Sequence, residues 1–83
     1  MPFSFQDKNS ALQKLRNDFA SLPLGRAMLD WADKNGVEIR ITKKGLLKGY
    51  RGTYHKGKIL IKPGQSHLQM IAILAHELRH AWQ

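Results

Sequence analysis

Eighty-three residues with 42% apolar content, a formal net charge of +8 and no cysteine describe one small folded domain with a thin core. That apolar share excludes a disordered chain. The missing cysteine excludes a disulfide framework and thiolate metal ligands, so a metal would need His, Asp or Glu.

The opening run Met1-Pro2-Phe3-Ser4-Phe5-Gln6-Asp7 lacks the basic start of a signal peptide, and Asp7 and Lys8 interrupt any apolar run. The longest apolar-rich stretch, Met70 to Ala75, is far too short to span a bilayer. The expectation is a soluble, cytoplasmic protein. The charge is uneven. Residues 1–33 carry four basic and four acidic side chains, and residues 63–83 one of each (Arg79 and Glu77). The whole excess lies in residues 34–62, where nine Lys/Arg meet only Glu38. Such a segment suits nucleic acid or an acidic partner. It equally suits lysine-lined strand edges that resist edge-to-edge pairing. No aromatic-rich RNA motif or helix-turn-helix pattern accompanies it, so at most weak, sequence-independent nucleic-acid binding is expected.

In chain order, Leu12, Leu15, Phe19 and Leu22 recur at helical spacing and predict an amphipathic helix from about Asn9 or Ser10. Pro23 breaks it and can open a second helix, whose apolar stripe is Leu24, Ala27, Met28 and Trp31 and whose stop is Asn35-Gly36. The period then changes to two. Val37–Thr42 alternates as a half-buried strand, Tyr50–Tyr54 reads as a second, and Lys58–Lys62 returns as a third after His55-Lys56-Gly57. Pro63-Gly64 ends the sheet. Ser66, with Gln69 three residues on, is a capping box that opens a last helix running to the end. The fold class is α+β: two helices, a small three-stranded sheet, and a final helix.

That final helix carries His76-Glu77-Leu78-Arg79-His80. At about 100° per residue, positions four apart differ by only about 40°, so His76 and His80 project from one face and can meet on one zinc. Glu77 can reach a water on the metal's open side and take its proton during attack on a carbonyl. The pattern would arise by accident in a chain this short on the order of once in several hundred. Leu68, Ile71, Leu74, Ala75, Leu78 and Trp82 are expected to cover the opposite, core side.

Ala75 to Gln83 resembles the active-site helix of the zincin metallopeptidases. It is closest to an uncharacterised bacterial family of putative metallopeptidases, and Gly52 to Ile61 resembles the strand pair that precedes that helix. The resemblance covers about residues 36–83 and implies the N-terminal half of a zincin-like fold. It implies zinc as cofactor, a peptide or protein as substrate, His76 and His80 as zinc ligands and Glu77 as general base. It also implies an edge strand that pairs with an extended substrate. Zincins draw a third ligand from beyond the motif, where only Ala81, Trp82 and Gln83 follow. Metzincins place Gly where Gln83 stands, which disfavours that subgroup. A subgroup with a Glu on a later helix is compatible. The expectation is therefore one zincin-like domain, 1–83, incomplete at its C-terminus and inactive alone.

Other donors are weaker on position. His67 is about 180° from His76 on the helix and is expected in solvent, His55 is expected in an exposed turn, and Glu38 lies on a strand. Arg79 reads as a surface residue. Two alternatives compete with an active peptidase: a truncated or degenerate inactive one, and a basic nucleic-acid-binding module with a vestigial motif.

Overall fold

Two packed helical stripes, Leu15 and Phe19 on one and Gly25, Leu29 and Ala32 on the other, decide how the first half folds. A computed structural model describes residues 3–83, and their side chains from Ser10 onward. Helix α1 spans Phe3–Ala20, several residues earlier than the periodicity alone suggested, and buries Leu15 and Phe19. Leu22, expected on the same stripe, falls beyond the helix end and is 43% exposed. Pro23 lies in the turn between helices rather than inside the second, and α2 covers Gly25–Lys34. Its buried stripe is Gly25, Leu29 and Ala32, with Met28 and Trp31 flanking it. Leu24 and Ala27 are exposed, because α2 packs through the face of Gly25, Leu29 and Ala32, from which both are turned away at about 100° per residue. Arg16 ties the two helices, donating to both Asp33 carboxylate oxygens at 3.0 and 2.8 Å.

The end of α2 is a Schellman turn. Gly36 takes φ +69°, and the Val37 N–H donates to the Ala32 carbonyl at 2.9 Å. This drops Val37, itself buried, directly into strand β1, Glu38–Ile41. Strands β2 (Gly52–His55) and β3 (Lys58–Ile61) are joined by Lys56-Gly57, both at positive φ, as in a tight two-residue hairpin. The sheet order is β1-β3-β2, with β1 parallel and β2 antiparallel to β3. Central β3 places Ile59 and Ile61 fully inside. Each strand is one or two residues shorter than the alternation had suggested.

Helix α3, His67–Trp82, packs on the inner face of β2 and β3 and against α1. The Ser66 cap is as expected: the Gln69 N–H donates to Ser66 Oγ at 3.2 Å, and the Ser66 N–H donates to Gln69 Oε1 at 3.1 Å. Leu74 and Leu78 are buried, but Leu68 and Trp82 are 78% and 58% exposed. Trp82 instead stacks on Trp31 at the rim, ring centroids 6.1 Å apart. The observed architecture is α+β, three helices around a small three-stranded sheet. Among the described residues, no helix is long and apolar enough to cross a membrane.

Leu74 carries this packing and Leu68 does not. Chemical denaturation of Leu74→Ala should show a loss of about 2–5 kcal/mol. Leu68→Ala should stay within about 0.5 kcal/mol of the parent.

Candidate metal centre and peptide cleft

Glu77, Leu78 and His76 occupy consecutive positions on α3, so each points about 100° from the next. Leu78 is locked into the core, which fixes the rotation of the helix. Glu77 then lands at the seam between α3 and the sheet edge, only 8% exposed, while His76 and His80 stand outside it in solvent. Sequence reasoning placed Glu77 on the polar, cleft-facing sector of the helix, and it does line the cleft. The helix packs so closely on β2 that the seam closes over it.

Gly52 sets that closeness. A Cβ at this position would lie 2.3 Å from Ile73 Cγ2, so any larger residue must displace Ile73 and lift the helix from the strand. The resulting cleft, of ≈ 490 Å³, is lined by Tyr50, Gly52, Thr53, Tyr54, His76, Glu77 and His80. One wall is therefore the motif and the other is β2. Tyr50 and Tyr54 were not singled out from sequence. The signal for Tyr54 was its alternation with Gly52, which puts both on the helix-facing side of the strand.

His76 and His80 converge. Their Nε2 atoms are 3.1 Å apart, with ring planes at 85°. Two nitrogens bound at 2.0–2.1 Å to a tetrahedral zinc stand about 3.3–3.4 Å apart, so this pair fits a shared ion with a shift of a few tenths of an ångström. Among the described residues, no side chain donates a hydrogen bond to the Glu77 carboxylate, which leaves it free for a proton or a water. No group of three His, Asp or Glu residues gathers among the described residues, so the motif pair stands without a third ligand there.

The sheet edge has its own chemistry. His55 and Lys58 close the two-residue hairpin, and Lys62 N–H donates to Arg51 O at 2.9 Å at the other end. In an antiparallel ladder, pairing alternates. Gly52 and Tyr54 therefore aim their main-chain N–H and C=O away from β3, onto the free edge. They are two of the residues that line the cleft.

The remaining candidates lie elsewhere. Glu38 is engaged by Arg40 at 2.6 Å. His55 ends β2 and is exposed, and so is Arg79. His67 does face away from His76, but it is not simply solvated. Its Nε2 meets Asp18 Oδ2 at 2.6 Å and ties the start of α3 to α1.

The whole chain, residues 1–83, matches the model of the "Putative metallopeptidase family (DUF6782)". The chain belongs to that family. No significant match was found among curated proteins or solved structures. Membership implies a metal ion, and the convergent imidazoles are the feature of the described residues that suits one.

The His67–Asp18 contact gives a pH signature. The hydrogen bond from His67, and then that from Lys14, holds the Asp18 carboxyl below its ordinary value of 3.8. A lowered carboxylate pKa stabilises the fold above that value and ceases to as pH falls through the folded pKa. The stability gap between wild type and Asp18→Asn should be full near pH 6 and close as pH falls below 3.8 through the lowered folded pKa. A gap independent of pH would remove the contact's role.

Proposed function

We propose that this chain is a zinc metallopeptidase of the His-Glu-x-x-His, zincin-like type. In this reading His76 and His80 hold zinc and Glu77 is the general base in hydrolysis of a peptide bond. The observation that carries this is the 3.1 Å approach of His76 and His80 Nε2 in one cleft with Glu77 and a free strand edge. Bound there, zinc would lower the pKa of a water and polarise the scissile carbonyl.

The chain's own groups supply the rest. Glu77 accepts the proton of the attacking water and can return it to the leaving amine. Its low exposure keeps bulk solvent from competing for that carboxylate. The main-chain groups of Gly52 and Tyr54 pair with an extended substrate and hold its peptide bond beside the motif. Catalytic zinc sites use three protein ligands. The described residues bring two together, and a two-histidine site should bind zinc weakly. A folded but inactive family member is the competing reading.

Cobalt(II), which is visible by absorption, distinguishes the roles without needing turnover. Glu77→Gln should keep cobalt affinity within about threefold of wild type, since a second-position base is not a ligand. It should abolish any chelator-sensitive hydrolysis of unfolded casein by the zinc form. A loss of cobalt affinity beyond about tenfold would make Glu77 a ligand. Chelator-sensitive hydrolysis of casein by the zinc form, lost in Glu77→Gln, would rule out the inactive reading.

A further inference from the structure

Five of the nine cations of residues 34–62 lie before β2, in its hairpin turn, or on or just after the neighbouring β3. Lys48 and Arg51 precede β2, Lys56 sits in the hairpin turn after it, and Lys58 is paired in register with His55 at its end. Lys62 lies beside Arg51, to which its main chain is hydrogen-bonded. All five are exposed. Three of the acids are engaged elsewhere: Asp18 by Lys14 and His67, Asp33 by Arg16, Glu38 by Arg40. Among the described residues, none of these five cations has an ion-pair partner, and Glu77 is the single acid lining the cleft.

We propose that the cleft selects extended peptide segments rich in acidic side chains, bound along the free edge of β2. The inference rests on the reading of the cleft as a peptide site and names the class of peptide. Two independent features converge on it. The edge offers Gly52 and Tyr54 N–H and C=O groups in the alternation that only another polypeptide strand matches. The two ends of that edge are cationic. Strand β2 has four residues, about 10–14 Å, so both ends lie within about one Debye length of the middle of a bound peptide at physiological salt. A nucleic acid would use the same charge, but it cannot pair with a strand edge. It would also want a row of exposed aromatic rings, where this loop shows Tyr50.

The test is fluorescence anisotropy on the metal-free full chain with labelled peptides alternating Thr with Glu, Ser or Lys. The Glu peptide should bind at least about tenfold tighter than the Ser peptide at low salt, and that preference should vanish as salt rises. The Lys peptide should bind more weakly than either. Lys48→Gln/Arg51→Gln/Lys56→Gln/Lys58→Gln together should erase the preference and leave the circular dichroism unchanged, since all four side chains are exposed. A Glu peptide N-methylated at alternate residues should lose at least about tenfold, because it cannot pair with the edge. Equal affinity for the Glu and Ser peptides, or no penalty for N-methylation, overturns the proposal. Displacement of the Glu peptide by oligouridylate at lower concentration than by unlabelled peptide also overturns it and assigns the surface to nucleic acid. None of these readouts uses zinc or turnover. Failure here leaves the metal site standing, and failure to hydrolyse leaves this preference standing.

Discussion

The burial of Leu74 and Leu78 between α3 and the sheet is the contact on which the rest depends. Once those two side chains are fixed, helix geometry leaves no freedom in where their neighbours point. Glu77 must fall at the seam with β2, and His76 and His80 must fall together on the open side. The capped start at Ser66 and the His67–Asp18 contact hold the other end of the same helix, so α3 is restrained along its length. A site carried on a helix that is clamped in this way has its side chains positioned in advance.

The sheet contributes differently. Strand β3, buried between two partners, supplies Ile59 and Ile61 to the core, while β2 has one partner and keeps one edge free. Such an edge invites unwanted association, and a ring of lysines is a common defence against it. Here the lysines sit at the ends of a strand that forms one wall of the cleft holding the convergent histidines. The charge is therefore consistent with two roles: it would repel other cationic edges, and under the proposal above it would attract anionic strands.

Periodicity made the element order, the capping box and the hairpin legible, because each rests on local chemistry: the Ser66/Gln69 pair, Lys56-Gly57, the alternation of Val37 to Ile41. The motif was legible for the same reason, since four-residue spacing is a local property of a helix. What periodicity could not supply was rotation and closeness. It counted Leu24, Ala27, Leu68 and Trp82 as core although their helices turn them outward, and it overlooked Leu29 and Ala32. It put Glu77 on the cleft-facing side but could not show how far it is buried, because nothing in the string records that Gly52 lets α3 approach β2. Contacts distant in sequence, such as His67 with Asp18 and Trp82 with Trp31, carry no local signature at all.

The central claim is that His76 and His80 together form the metal site, and the chain's other described histidines serve as controls. Long-range ¹H–¹⁵N correlation spectra of the imidazole rings, recorded during a zinc titration, resolve each ring nitrogen separately. The Nε2 resonances of His76 and His80 should move together and saturate at one zinc per chain, with His55 and His67 unchanged. Movement of His55 or His67 with the motif pair unmoved, or no change in any ring, would contradict the account.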